Sequence, residues 1–171
     1  VSFDWGDMCS NDKILNRLRE VLIESFLKVF GDSILSLVLF GSYARGEPRY
    51  DSDIDLLVVL DRIDDRYSVQ KLLDDVERLL EPFLRDISEC SLKPFLSPIV
   101  LSKDQASTIR PLYIDLVFDA KVLYDKDNFI SGILSSVKEK LNSLGAERRR
   151  IGNKWVVVLK KDFKFGEVIE L

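Results

Sequence analysis

Apolar positions along the chain fall into two rhythms. In the first segment Ile14, Leu15, Leu18, Val21, Leu22, Phe26, Val29 and Phe30 recur every three or four residues, which predicts an amphipathic helix over 11–30 ended by Gly31. The same spacing returns at Leu72, Leu73, Val76, Leu79, Leu80, Phe83, Leu84 and Ile87, a helix over 68–87 with Ser68 as its N-cap. It returns again at Ile130, Ile133, Leu134, Val137, Leu141 and Leu144, a helix over 129–144 with Gly145 closing it.

The second rhythm is the short, branched apolar run. Residues 33–40, "SILSLVLF", and the run "DIDLLVVL" at 53–60 read as buried strands, and "SPIVLS" at 97–102 as a third. Ser102 with Gln105 forms a capping-box signature for a short helix. After Pro111, "LYIDLVF" and "KVLY" read as extended segments, and the tail beyond Gly145 as one or two strands following a basic stretch. Strands interleaved with helices predict an α/β (α+β) fold, a mixed β-sheet with helices packed against it. Residues 11–144 would form the main domain and 145–171 a basic β extension packed on it.

At 171 residues the chain suits one domain, with or without a small appendage. A net charge of −4 opposes a broad grip on duplex DNA, which needs surplus cations to displace phosphate counterions. The chain has no histidine, so acid–base work falls to carboxylates, hydroxyls, Lys or Arg. Cys9 and Cys90 are too few for a disulfide framework or a zinc site, and read as inert thiols in a reducing cytoplasm. With no run approaching a membrane span and no leader-like start, the expected location is cytoplasmic, away from membranes. Trp5, Trp155 and the Phe residues read as core or interface anchors. The terminal "GEVIEL" could pair across subunits in a homo-oligomer.

Chemistry concentrates in "LFGSYARGEPRYDSDIDLLVVL", residues 39–60. Asp53 and Asp55 leave one face of a strand about 6 to 7 Å apart, at the mouth of what otherwise reads as core. Two carboxylates there need a positive partner. Mg²⁺ suits them: it takes one or two carboxylates and completes its shell with water and phosphate oxygens. Just upstream, Gly41 allows close approach of a phosphate to the backbone, Ser42 adds a hydroxyl, and Arg45, with Arg49 as a second candidate, offers charge-assisted hydrogen bonds. An ordinary loop with Arg45 paired to Glu47 is the plainer alternative. Asp115, flanked by Ile114 and Leu116, is the other acid set in an apolar run, with a strand-edge or capping role as its alternative. Asp119 shares its parity, but on an extended strand would lie roughly 13 Å further along, too far to share an ion. Asp51 reads as a turn residue, and Asp61, Asp64 and Asp65 as solvated loop charges.

"GSYARGE" followed by "SDIDLLV" resembles the signature of the polymerase β-like nucleotidyltransferase superfamily, in particular its minimal, stand-alone prokaryotic members. The resemblance implies that Gly41, Ser42 and Arg45 hold nucleotide phosphates. It implies that Asp53, Asp55 and Asp115 bind two Mg²⁺ ions, with Mn²⁺ as the alternative, and carry catalysis. The implied reaction moves a nucleoside monophosphate, AMP from ATP, onto a hydroxyl of a protein, RNA or small molecule with release of pyrophosphate. The competing function is a non-catalytic nucleotide-binding or antitoxin-like module that docks on a helical partner protein. Template-directed DNA synthesis fits poorly with the chain's size and acidic balance. Arg148, Arg149, Arg150 and Lys154, beside Trp155, could touch RNA, although a solvated segment is the simpler reading.

Overall fold

The computed structural model describes residues 9–171; Trp5 lies outside them. Helix α1, Asn11–Phe30, buries Ile14, Leu18, Leu22 and Phe26, four residues apart on one face. It ends at Gly31, whose φ of 53° lets its N–H reach back to the Leu27 carbonyl. A 3₁₀ turn, Gly31–Ser33, leads into β1, Ile34–Phe40. The single helical turn α2, Gly41–Ala44, follows, and then β2, Ile54–Leu60.

Helix α3, Arg66–Ser88, starts two residues earlier than expected. Its N-cap is Asp65, whose carboxylate accepts from the backbone N–H groups of Tyr67 and Ser68 and from the Ser68 hydroxyl. Asp65 is therefore not a bare loop charge: these bonds hold its carboxyl below the usual range, the side-chain bond from Ser68 contributing most. Strand β3, Leu96–Ser102, runs into α4, Lys103–Ser107, through the expected capping box of Ser102 and Gln105.

The next segment departs from the extended conformation that its residues predict. Pro111–Asp119 is a helix, α5, and not a strand. Proline at the first helical position has its φ preset and its missing N–H is no loss there. Tyr113 and Leu116, three apart, are the buried residues, so the β-prone side chains pack on a helical stripe. Strand β4, Lys121–Asp125, a 3₁₀ turn, Lys126–Asn128, and α6, Phe129–Ser143, complete the main body. The tail forms a separate hairpin, β5, Glu147–Ile151, with β6, Lys154–Val158, so the basic stretch is itself a strand.

The four-stranded sheet has the order β3-β2-β1-β4. It is mixed as expected: β1 is antiparallel to β2 and β4, and β2 is parallel to β3. Helices cover both faces. Ile54, Leu56, Val58 and Leu60 of β2 join the core beneath α1 and α3, while Leu57 and Val59 join the core with α5 and α6. Asp55 has the parity of Leu57 and Val59, so side-chain alternation sends it to the α5 face. Among the described residues no helix is long and apolar enough to cross a membrane.

Cys9 and Cys90 form a disulfide across a separation of 81 residues, with Cα atoms 5.3 Å apart. This overturns the expectation of free, inert thiols. Sequence spacing could not show that the start of α1 and the turn after α3 meet once the two helices pack together. A cross-link over so long a loop restricts the unfolded chain. Replacing both cysteines with serine should lower the unfolding free energy by about 2–4 kcal/mol in urea melts. Dithiothreitol should weaken the native protein equally and leave the double variant unaffected; a native melt indifferent to reductant would contradict the cross-link.

Candidate functional site

Strand β2 is buried throughout except at Asp55, which is half-buried at its second position. The room for that carboxylate comes from the neighbouring turn. Antiparallel pairing sets Asp55 opposite Phe40, the last residue of β1, and Gly41 follows directly. A Cβ added to Gly41 would collide with Asp55 Oδ2 and lie 3.1 Å from its Cγ. Gly41 also has φ +72°, where other residues are strained. Glycine is required here twice over, for its backbone and for the carboxylate beside it.

The electrostatics are unbalanced. Burial, helped by the charge of Asp53 two residues away, pushes the Asp55 carboxyl above its ordinary value. The hydroxyl of Ser97, its register partner on β3, and the guanidinium of Arg45 pull the other way without cancelling the shift. Asp53 itself is exposed. Its charge also reaches Tyr43, whose phenol is pushed up to about 12 by burial first and Asp53 second. That phenol oxygen has no hydrogen-bond partner among the described residues.

Gly41, Arg45, Asp55 and Asp115 line one cleft of about 400 Å³, within the size range of small-ligand sites. Asp115, expected on a strand, reaches it from helix α5 and is exposed. Asp119, expected to stand too far along a strand to join it, is brought back by the helix: four residues on, it shares the face of Asp115 and lines the same cleft. Ser42 and Asp53 are not among the lining residues. Ser42 sits in α2, where its carbonyl accepts from the Glu47 N–H at 3.0 Å.

Arg45 divides its charge. Nη1 donates to Asp119 Oδ2 at 3.4 Å, and Nε stands 4.0 Å from Glu47, so the local pairing expected from sequence is the looser of the two. Asp119 also accepts from both terminal nitrogens of Arg148 in β5. The Arg148–Asp119 pair is only 15% and 16% exposed. Arg148 is therefore no solvated tail cation. Trp155, expected as a core or interface anchor, is 40% exposed and stacks on Arg148, with the guanidinium 4.2 Å from the ring centroid. Sequence reasoning missed Ser97, Asp119 and this pairing. The i, i+4 spacing of Asp115 and Asp119 was the available signal, and it speaks only on a helix.

Among the described residues no three His, Cys, Asp or Glu side chains gather closely enough to hold a metal ion unaided. The donor set nevertheless fits a hard cation. Two neighbouring carboxylates with one forced up in pKa would be relieved by a divalent ion that brings its own water or phosphate oxygens.

A family model described as "Nucleotidyltransferase domain" matches residues 15–141. The chain belongs to the nucleotidyltransferase family. It is 32% identical over 131 residues to the Methanocaldococcus jannaschii protein named "Putative protein adenylyltransferase MJ1305", covering 75% of this chain and 84% of that protein. A second protein of that organism, "Putative protein adenylyltransferase MJ1379", is 43% identical over 51 residues, 29% of this chain and 50% of the other. A solved structure described as a toxin-antitoxin with AMP-PNP superposes at a TM-score of 0.45 with 17% identity, over 74% of this chain and 92% of that one.

Substitutions at the turn and at the buried carboxylate should separate their roles. Gly41→Ala should cost about 1–3 kcal/mol in thermal or urea melts, because both backbone and Asp55 must shift. Asp55→Asn should stabilise the fold at neutral pH. With its folded pKa raised, Asp55 destabilises the native state above that pKa, so the gain should fade as pH drops through the raised value toward the ordinary 3.8. A gain that grew on acidification would contradict the assigned direction.

Proposed function

We propose that the chain is a Mg²⁺-dependent adenylyltransferase that moves AMP from ATP to a hydroxyl of an acceptor protein. The observation that carries this reading is the meeting of the Gly41 turn with the Asp55 carboxylate at a cleft that Arg45 and Asp115 also line. A turn that admits phosphate and carboxylates that attract a cation are the two halves of a metal-nucleotide site. The family supports nucleotidyl transfer, and the name of the 32% identical relative supports a protein acceptor. Residues 11–144 are taken as the catalytic domain and 145–171 as its extension. Cytoplasmic residence is part of the reading, since ATP is there, although the Cys9–Cys90 disulfide is uncommon for that compartment.

In this mechanism Gly41 and Ser42 hold the triphosphate through backbone N–H and hydroxyl donors, and Arg45 adds charge. Asp53 and Asp55, with Asp115, would hold Mg²⁺, which when bound offsets the negative charge of the phosphates. The acceptor oxygen attacks the α-phosphorus in line, the bond to the β-phosphate oxygen breaks, and pyrophosphate leaves. Asp115, exposed on α5, takes the hydroxyl proton on its carboxylate.

Incubation with α-labelled ATP, Mg²⁺ and source-cell extract should place label on a protein band. Asp53→Ala, Asp55→Ala and Asp115→Ala should each reduce labelling about a hundredfold or more while leaving the circular dichroism spectrum native. Undiminished labelling by Asp53→Ala would refute the assignment. Tight binding to a protein partner, without any label and indifferent to Asp53→Asn, would instead identify a docking module.

A further inference from the structure

The nucleotidyltransferase match ends at residue 141, yet the cleft does not. Its far wall is the hairpin beyond that point: Arg148 from β5, then Asn153, Lys154 and Trp155 at the turn and the start of β6. The hairpin is tied to the main body at the cleft. Arg148 grips Asp119 with both terminal nitrogens, and its guanidinium stands 5.6 Å from the Phe118 ring centroid and 4.2 Å from that of Trp155, over which Arg150 also stands at 5.7 Å. This pins the indole at the cleft, with Arg148 and Arg150 each covering part of it.

We propose that the β5–β6 hairpin holds the nucleoside half of the bound nucleotide, with Trp155 stacking against the base and Asn153 hydrogen-bonding its edge. The inference rests on the nucleotidyl-transfer reading and assigns to this chain a base-recognition wall outside the matched domain. Three features select the base as occupant. Phe40 and Leu112 join the indole to offer apolar surface to an aromatic ring. Asn153 offers both a donor and an acceptor, the combination that reads base edges. At the hairpin end the Arg148 guanidinium is already paired with Asp119 and so is engaged before any phosphate arrives. A cleft of about 400 Å³ also suits one nucleotide better than a segment of an acceptor protein.

Isothermal titration of the full chain with Mg·ATP and, separately, Mg·tripolyphosphate tests this, because the second ligand lacks the nucleoside. The native protein should bind Mg·ATP at least tenfold more tightly than Mg·tripolyphosphate. Trp155→Leu should weaken Mg·ATP about tenfold or more and leave tripolyphosphate within about twofold. Asn153→Ala, which keeps Trp155 on Arg148, should weaken Mg·ATP about fivefold with the same selectivity. Equal losses for both ligands would show that the hairpin merely supports the phosphate end, and unchanged binding of Mg·ATP by both variants would show that it contacts no nucleotide; either overturns the proposal alone. Native protein that binds neither ligand would bring down the proposed function and this inference together.

Discussion

A carboxylate on an otherwise buried strand is the constraint from which the site follows. Asp55 occupies the one half-buried position of β2, with core side chains before and after it. It can stay there because Gly41 leaves the space that any Cβ would fill. The surroundings do not neutralise it: Asp53 adds repulsion, and Ser97 and Arg45 only partly compensate. A carboxylate held above its ordinary pKa by burial and a like charge is the pattern found where stability is given up for function.

The sheet decides which helix meets that charge. Because Asp55 shares the face of Leu57 and Val59, it looks toward α5 and α6 and away from α1 and α3. Helix α5 then places Asp115 and Asp119 one turn apart on the cleft. The two acids have separate fates. Asp115 is left exposed, whereas Asp119 is held by Arg45 and Arg148 and so ties the turn after β1, helix α5 and the C-terminal hairpin together. Breaking such a half-buried pair from one side leaves its partner charge uncompensated. The hairpin is thereby coupled to the same electrostatic centre as the glycine turn.

Local pattern was sufficient wherever local forces dominate. The helices from 11, from the sixties and from 129, the strands before Gly41 and after Asp53, and the Ser102–Gln105 capping box all follow from spacing and capping chemistry. Gly41 and Arg45 stand four positions apart in one turn, whereas Asp55 joins them only through the antiparallel pairing of β1 with β2, which sets it opposite Phe40. The segment after Pro111 misled because its β-branched and aromatic residues favour strand while proline at the first position permits helix; packing of Tyr113 and Leu116 settled the contest.

By itself, then, the sequence determined the elements with strong periodicity, the mixed helix-and-sheet class and the Gly41 turn between two strands, because each depends on neighbours a few positions away. The tertiary structure alone decided that Cys9 meets Cys90, that Asp119 belongs with Asp115, and that Arg148 and Trp155 close the cleft. Asp119 and Arg148 are 29 positions apart along the chain, and the two cysteines 81. Contacts at such separations depend on how faces of different elements pack, and no spacing rule along one element carries that information.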